Sequence, residues 1–592
     1  MNKAVKTKIW PLLSSLVVLL GACASNPPET GLPDTGNVGQ TTAQAAAEVV
    51  PAPAPAEEEI EYGSFSKDQL YQALISELGA QRGEVREAGD NYLDLAIQTR
   101  DLGIIQRAVQ FASVNEDLNA LLQLGLLWAE VDPGAARPHL LLSFQFLEAG
   151  NFEQALSHMA RVIDLGGDMD FSALASRTGQ LDEGTRSSLI ESLYQLVTEF
   201  PERASIRLAL VQLLAQNGNF NAALEEYEGL MEVSDLSPNL VLLHAQIFQS
   251  NDDPEAAARV LRNGLRQFET NKNLRLTYAR LLIQREEFGD AQDQFAILME
   301  QDPQDWETLY SMALLDLEME NYQEAIERFE QLVNVDQYVD ESQYYQGYIN
   351  EQTGNEREAV EHYRQVRIGT QNFLPAQQLA TRLSIGLGEL DDAHAHLARL
   401  SRGQSRLEIL FTTVESSELI QAGYTDEARA LLDNALNKYP NETDLLFARV
   451  LLYDNLGDRE ASERDLRQII RMKPEDARAL NHLGYMLADQ TNRYEEALEL
   501  LERAIALEPD DPAIIDSLGW AQYKLGRYED ALRNLRRAYA VFPDHEVASH
   551  VGEVLWKMGR EDEALEVWRD ALEVRPDSEL IREAMERLEA DL

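Results

Sequence analysis

The chain has 592 residues, of which 102 are Asp or Glu and 51 are Lys or Arg, so its formal net charge at pH 7 is −51. Nucleic-acid binding needs clustered Lys and Arg to neutralise phosphates, so this balance argues against a nucleic-acid-binding protein. It also argues against adhesion to anionic membrane surfaces. Two explanations of the acidity stay open: solubility in a salty habitat, or complementarity to basic partners. The single cysteine, Cys23, excludes a disulfide framework and thiolate-rich metal sites.

Residues 1–22 have the pattern of a signal peptide. Three lysines form its basic start: Lys3, Lys6 and Lys8. The apolar run over residues 9–22 is too short to span a bilayer. Three residues lead directly to Cys23: Leu20, Gly21 and Ala22. This box resembles the lipobox of bacterial lipoproteins, which implies cleavage before Cys23 and lipidation of that cysteine. The alternative is a leader with an incidental cysteine.

The residue after Cys23 is Ala24 and not Asp, which in enterobacterial lipoproteins implies transfer to the outer membrane. We therefore expect a lipid-anchored protein on the outer membrane that faces the periplasm. Residues 24–62 are rich in Pro, Ala, Gly and Thr and contain seven acidic residues but no Lys or Arg. Because such a segment cannot bury a core, residues 23–63 are predicted to form a disordered tether behind the lipidated cysteine.

A repeat dominates the rest of the chain. Prolines recur at intervals of 34, 35, 34 and 33 residues: Pro440, Pro474, Pro509, Pro543 and Pro576. Two amphipathic helices of about a dozen residues fit between successive prolines. In the unit over residues 511–544, Gly519 leaves a gap in the first helix. Ala531 provides a small side chain where the two helices approach most closely. Six such packing positions are predicted in the last three units: Gly484, Ala497, Gly519, Ala531, Gly552 and Ala564.

These units resemble tetratricopeptide repeats in length and in their order of small, large and proline positions. The resemblance implies an all-α fold, a right-handed superhelical solenoid preceded by the signal peptide and the tether. About thirteen candidate units lie between residues 85 and 578, and residues 166–200 interrupt their register as a non-repeat helical insert. Residues 579–592 are predicted to form a charged amphipathic helix that caps the last repeat.

An amphipathic helix is predicted over residues 64–84, between the tether and the first repeat. Five large residues form its apolar stripe: Leu70, Tyr71, Leu74, Ile75 and Leu78. Two interpretations stay open. The stripe either packs on the first repeat and caps the solenoid, which is the favoured interpretation, or docks onto a partner protein.

No catalytic motif, metal site or cofactor site is predicted. His394 and His396 are two residues apart on a helix, so their side chains point in different directions and are interpreted as surface or groove histidines. The segment Gly386–Asp391, "GLGELD", lies where a repeat turn belongs and not after a strand, which argues against a phosphate loop. The carboxylates are explained by solvated helix faces. We therefore expect neither an enzyme nor a small-molecule substrate.

The tetratricopeptide resemblance implies a concave groove lined by the first helices, whose solvent-facing residues choose the ligand. Five residues are predicted to form this groove in the best units: Asn481, Tyr485, Asp516, Trp520 and Tyr523. They suit a peptide of some basic character, although the aromatic residues alternatively cover the repeat junctions. A nearby basic cluster is interpreted mainly as pairing with neighbouring acids: Lys524, Arg527, Arg533, Arg536 and Arg537.

The layout of lipobox, acidic tether, the "KDQLYQALISELGAQRG" helix and a dozen or so repeats is similar to a family of outer-membrane lipoproteins. These are the binding partners of periplasmic carboxy-terminal processing proteases in pseudomonads and relatives. The resemblance implies an adaptor that brings a serine protease to peptidoglycan hydrolases, its substrates. The alternative is a scaffold for envelope polymer export or appendage assembly. An enzyme of unrecognised type would require activity in the purified solenoid.

Overall fold

A computed structural model describes residues 65–179 and 181–590, and within these ranges it contains 31 α-helices and no β-strand. The signal peptide, the lipobox residues, Cys23 and the tether lie outside the described residues. The chain divides after Asn321 into two compact units. We describe each unit separately.

Unit 1 contains helices α1 to α15. Their bounds are Lys67–Gln81, Val85–Thr99, Leu102–Val114, Leu118–Val131, Ala136–Glu148, Phe152–Asp164, Ser172–Arg177, Glu183–Glu199, Ala204–Gln216, Phe220–Val233, Pro238–Ser250, Pro254–Gln267, Lys272–Gln284, Phe288–Gln301 and Trp306–Glu318.

Unit 2 contains helices α16 to α31. Their bounds are Tyr322–Asn334, Val339–Gln352, Glu356–Gln365, Phe373–Gly386, Leu390–Leu400, Ser405–Gln421, Thr425–Lys438, Thr443–Leu456, Arg459–Met472, Ala477–Gln490, Tyr494–Leu507, Pro512–Lys524, Tyr528–Val541, His545–Lys557, Glu561–Val574 and Glu579–Leu588.

The helices of unit 2 pack as hairpins that stack on one another. The two helices of a hairpin contact each other, and several first helices also contact the first helix of the next hairpin, as in the series α25, α27 and α29. A single cluster of buried apolar side chains consequently runs from Ile385 to Ala590. In unit 1, buried clusters run from Ala88 to Trp128 and from Leu147 to Ile247. Stacking therefore produces an elongated core, as expected for a repeat protein.

The small residues of the last repeats lie where two helices meet. A Cβ atom added to Gly519 would lie 2.7 Å from Cγ of Leu535, and one added to Gly484 would lie 2.6 Å from Cγ of Leu501. Gly552 faces Trp568 in the same way. Three alanines of the facing helices are fully buried: Ala497, Ala531 and Ala564. These contacts set the distance between the two helices in each of these three hairpins. No side chain larger than glycine or alanine fits where the helices meet.

Residues 166–200 contain the short helix α7 and the longer α8, which both pack against α9. Gln216 of α9 accepts a hydrogen bond from Thr178 Oγ1 at 2.9 Å and donates one to the carbonyl oxygen of Ala175 at 2.9 Å. Three apolar side chains of this segment are buried: Met169, Phe171 and Leu174. The segment is thus joined to the neighbouring repeat by both polar and apolar contacts.

Helix α31 packs against α29 at the end of unit 2. Ser578 caps its first turn, and the buried side of the helix consists of Ile581, Ala584 and Met585. Its exposed side is mostly charged, with Arg582, Glu583 and Glu586, although Leu580 is also 42% exposed. Water therefore meets a polar helix face at this end. Residues 591–592 of the predicted cap lie outside the described residues.

Replacing Ala531 with Leu is expected to lower the free energy of unfolding by about 1–3 kcal/mol, because the larger side chain overpacks the contact between α27 and α28. Urea unfolding followed by circular dichroism measures the change. Ala540→Leu, at an exposed position of the same helix, is the matched control and should leave stability nearly unchanged. Equal stability of both variants would contradict the assigned repeat packing.

Candidate protein-binding surfaces

Helix α1 packs against α2 through its small residues. Ser76 is buried, and Ala73 and Ala80 lie against the apolar cluster of the first repeats. The helix begins with a capping box, in which Ser66 accepts from the Gln69 amide and Gln69 accepts from the Ser66 amide. A short side chain at each contact allows α1 to approach α2 closely.

A polar cluster fixes the rotation of α1 about its axis. The guanidinium of Arg107 donates two hydrogen bonds to the carboxylate of Glu77, at 2.6 and 2.7 Å, and the Tyr92 hydroxyl donates a third at 2.9 Å. These bonds, above all those from Arg107, lower the pKa of Glu77. Burial and the adjoining Glu77 carboxylate raise the pKa of Tyr92 to about 12, so its hydroxyl stays a donor. Bidentate pairing of this kind constrains direction as well as distance.

The large apolar residues of α1 point away from the repeats. Their exposed fractions run from 44% for Ile75 to 65% for Tyr71. We call the following set the apolar face of α1: Leu70, Tyr71, Leu74, Ile75 and Leu78. Phe65, just before the helix, is also exposed. The interpretation in which this stripe seals the first repeat is therefore wrong, because α2 contacts the small residues on the other side of the helix.

Three of the five predicted groove residues do not face solvent. Asp516, Trp520 and Tyr523 are buried, while Asn481 and Tyr485 are partly buried. The expectation that all five meet a ligand in solvent is thus wrong for the residues of α27. The reason is that neighbouring first helices are close enough for long side chains to contact one another across repeats.

Hydrogen bonds join these side chains to other first helices: Trp520 and Tyr523 bond the adjacent ones, and Tyr485 of α25 reaches α29, the next but one. The Tyr485 hydroxyl donates to Glu546 at 2.8 Å, and the Tyr523 hydroxyl donates to Glu553 at 3.1 Å. Trp520 Nε1 donates to Asp489 at 3.2 Å. Burial raises the pKa of Tyr485 and of Tyr523, which keeps both hydroxyl groups protonated. The aromatic residues therefore cover repeat junctions, the alternative that the sequence left open.

His550 lies at the centre of this network. Its Nδ1 atom is 3.0 Å from Asp516, and its ring stacks on Trp520 with 4.0 Å between centroids. Burial lowers the pKa of His550, but the carboxylates of Asp516, Glu546 and Glu553 outweigh it, so the pKa is raised overall. The Asp516 carboxylate therefore favours the protonated form of the His550 ring.

The basic cluster around α27 and α28 pairs within the chain. Arg536 binds Glu563 at 2.8 Å, Arg537 binds Asp510 at 2.7 Å, and Arg533 binds Asp530 at 2.7 Å. The Lys524 ammonium lies 4.4 Å from the centre of the Trp520 ring. No hydrogen bond or ion pair of Arg527 side-chain atoms is found among the described residues. Most of these charges are thus already compensated.

His394 and His396 occupy different environments. His394 is half-exposed and bonds Glu415, at 3.1 Å, whereas His396 is buried and its Nε2 atom lies 2.7 Å from Oε1 of Gln377. The expectation of two surface or groove histidines is therefore wrong for His396. Burial lowers its pKa to about 4. Within residues 65–179 and 181–590, no group of three or more His, Cys, Asp or Glu side chains is placed to hold a metal ion.

A groove that the sequence did not indicate lies in unit 2 between α21 and α23. We call it the α21–α23 groove; its volume is about 1040 Å³ and it is partly open to solvent. Apolar residues form much of its lining: Ile409, Leu410, Ile420, Phe447, Ala448 and Leu451. Hydroxyl and amide groups complete it, including Thr413, Ser417 and Gln421. The only sequence signal is that α21 has apolar and hydroxyl residues on all sides, in "LEILFTTVESSELI".

None of the helices in the described part of the chain is both long enough and apolar enough to cross a membrane. Two surfaces of the described residues gather apolar side chains: the apolar face of α1 and the α21–α23 groove. Both present apolar side chains to solvent, which is typical of sites that contact other proteins.

The Asp516–His550 pair predicts a specific pH dependence. A group whose pKa rises on folding stabilises the fold fully below its unfolded value, about 6.5 for His, and this stabilisation is lost as pH rises through the folded pKa. The stability advantage of the wild type over Asp516→Asn/His550→Gln should therefore be largest below about pH 6.5 and shrink as the pH rises above it. Thermal melting at each pH measures it.

The variant His396→Gln is the comparison, and its effect on stability should depend on pH in the opposite direction. Because the pKa of His396 is lowered to about 4, its contribution is present above the unfolded pKa and is lost as pH falls towards 4. A wild-type advantage over the double variant that stayed constant as the pH rose above about 6.5 would contradict a raised pKa of His550.

Two family models, each described as a tetratricopeptide repeat, match the chain. One matches residues 310–372 and 447–512, and the other matches residues 249–313, 490–548 and 522–588. These matches, with the stacked helix hairpins, confirm the prediction of an all-helical tetratricopeptide fold. Repeats of this family bind proteins, and nothing in the described residues indicates catalysis.

The solved structure of TTC0263, a thermophilic tetratricopeptide protein of Thermus thermophilus, is 23% identical to this chain. It covers 30% of this chain and 98% of its own, with a TM-score of 0.28. MamA from Desulfovibrio magneticus RS-1, residue 41 to the end, is 20% identical and covers 29% of this chain and 97% of its own, with a TM-score of 0.26.

A protein of Pseudomonas aeruginosa named TPR repeat-containing protein PA4667 is 35% identical to this chain over 495 residues. The alignment covers 83% of each sequence, so it extends well beyond a few shared repeats. Similarity of this extent shows that the chain belongs to the family of tetratricopeptide repeat-containing proteins.

Proposed function

We propose that this protein is a lipid-anchored adaptor of the outer membrane that holds a periplasmic serine protease and its substrates together. The observation that carries the proposal is the apolar face of α1. A helix that only closes a repeat array turns its large apolar residues inward, as α31 does with Ile581 and Met585. Helix α1 does the reverse, which is the arrangement of a helix that docks onto a partner.

The anchor is proposed from the N-terminal sequence. The basic start, the short apolar run and the box before Cys23 support lipidation of that cysteine. Residues 23–63 would then link the lipid to α1. This arrangement places the apolar face close to the point where the tether meets the repeats.

We identify the partner of α1 as a carboxy-terminal processing protease. The resemblance in layout supports this identity. The substrates that the adaptor presents are, in this proposal, peptidoglycan hydrolases. The adaptor would thereby regulate cell-wall turnover. Tethering protease and substrate to one chain raises their effective concentration without any catalytic group in the adaptor. This mechanism fits the described residues, whose side chains pack helices together or form surfaces that other proteins can contact.

Leu70→Glu is expected to abolish protease capture, because a carboxylate at the centre of an apolar interface must be desolvated without a partner. The purified chain lacking residues 1–23 is used to capture proteins from envelope extracts, and mass spectrometry identifies them. Leu118→Glu is the matched control, since Leu70 and Leu118 are each 56% exposed. The control variant should capture as the wild type does.

Circular dichroism should be the same for the wild type and both variants, since neither leucine is part of the buried core. Capture of a serine protease by Leu70→Glu at the wild-type level would refute docking on α1. Capture of export-machine components without a protease would instead support a scaffold for envelope polymer export or appendage assembly.

Cys23→Ser is expected to move the protein from the membrane fraction to the soluble periplasmic fraction, because the lipid attachment atom is lost. Cell fractionation with immunoblotting measures the shift, and the soluble variant should still capture the protease. A Cys23→Ser variant that remained with the membrane would contradict the lipid anchor.

A further inference from the structure

The α21–α23 groove is a second apolar surface, distinct from α1 and contained within unit 2. Its volume, about 1040 Å³, lies at the upper end of the range for small-molecule pockets, roughly 300–1,000 Å³. Leu451 lines it and is 46% exposed. A space of this size and shape, on first helices of a repeat protein, accommodates a short stretch of polypeptide.

Contacts among its lining residues hold one wall of the groove in place. The guanidinium of Arg478 lies 4.0 Å from the centre of the Phe447 ring and pairs with Asp444 at 3.2 Å. The edge of the His482 ring meets the Phe447 ring with 5.5 Å between centroids. Phe447 is thus preorganised, which reduces the entropy lost when a ligand packs against it.

Two charged side chains of the groove lack an opposite charge. Arg406 lies in the first turn of α21 and Glu442 directly precedes α23, and both line the groove. Neither side chain forms an ion pair or hydrogen bond with any residue in the ranges that the structure describes. By contrast, the other cation and the other carboxylate of the lining, Arg478 and Asp444, pair with each other.

We propose that the α21–α23 groove binds an extended peptide segment whose aliphatic side chains are flanked by one acidic and one basic side chain. The aliphatic side chains pack on Leu451 and Phe447, the acidic side chain pairs with Arg406, and the basic side chain pairs with Glu442. The groove is partly open to solvent, so the bound segment continues beyond it on either side. This inference goes beyond the adaptor function, because it concerns a separate surface and holds whichever protein binds α1.

Charge complementarity selects this ligand over others. A wholly aliphatic segment would leave Arg406 and Glu442 without partners, and a segment with two like charges would place one beside a charge of its own sign. The strong net charge of the chain, −51, further disfavours an acidic segment at long range. A peptide with one charge of each sign satisfies both groups.

The test uses three fluorescein-labelled, carboxy-amidated nonapeptides with the same leucine and valine core. The mixed peptide carries one glutamate and one lysine at the flanks, the dibasic peptide two lysines, and the diacidic peptide two glutamates. Fluorescence polarisation measures their affinity for the chain lacking residues 1–23. The mixed peptide should bind the wild type roughly tenfold more tightly than the diacidic peptide, the effect of one charge-assisted pair.

Charge-reversal variants should change this preference in opposite directions. Relative to the wild type, Arg406→Glu is expected to favour the dibasic peptide and Glu442→Arg the diacidic peptide, each by about tenfold. Arg464→Glu, at an exposed arginine of α24 outside the groove, is the control and should leave the order of the three peptides unchanged. Because the comparison uses the sign of the flanking charges only, it does not depend on the direction in which the peptide runs.

Leu451→Glu should weaken the binding of all three peptides. Leu456→Glu is the control and should leave binding unchanged, because Leu456 lies on the same helix and is 39% exposed but does not line the groove. Melting curves establish that each variant is folded. The proposal is overturned if no peptide binds saturably, if the order of preference is the same in all variants, or if Leu451→Glu binds normally.

Discussion

A hairpin of two short helices cannot bury its apolar side alone, and this constraint governs the structure of the described chain. In the last repeats, a first helix contacts both its own second helix and the next first helix, which stabilises the hairpins there. Glycine and alanine at the closest contacts, such as Gly519 and Ala531, make this double packing possible. Buried cross-repeat pairs such as Asp516 and His550 then add polar bonds between neighbours.

A stacked array must end, and the terminal helices of the two units end in opposite ways. Helix α31 buries Ile581 and Met585 and turns charged residues to water. Helix α1 buries Ser76 and turns Leu70, Leu74 and its other large residues outward. The pairing of Glu77 with Arg107 and Tyr92 keeps this orientation. Helix α1 thus presents an apolar surface to solvent, while α31 presents a mostly charged one.

The repeats could be predicted from sequence because proline, glycine and alanine recur at fixed intervals. The apolar stripe of α1 could also be predicted from sequence, but not whether it faces the repeats or solvent. Small residues such as Ala73 and Ala80 form a second apolar side of the helix. Only the packed structure shows which of the two sides α2 contacts. The prediction for the residues of α27 was wrong because Trp520 bonds the preceding repeat and Tyr523 bonds the next one. The α21–α23 groove was missed because its repeats lack the small-residue signature and its lining comes from more than one helix.

The most direct test of the account is the accessibility of α1 itself. Since Cys23 is the only cysteine, a Cys23→Ser background allows single cysteines to be labelled with a thiol reagent. The account predicts that Leu74→Cys is labelled as fast as the exposed control Leu118→Cys, and far faster than the buried control Ala96→Cys. Added envelope extract should then protect Leu74→Cys alone. Slow labelling of Leu74→Cys in the free protein, or no protection by the extract, would contradict a docking face on α1.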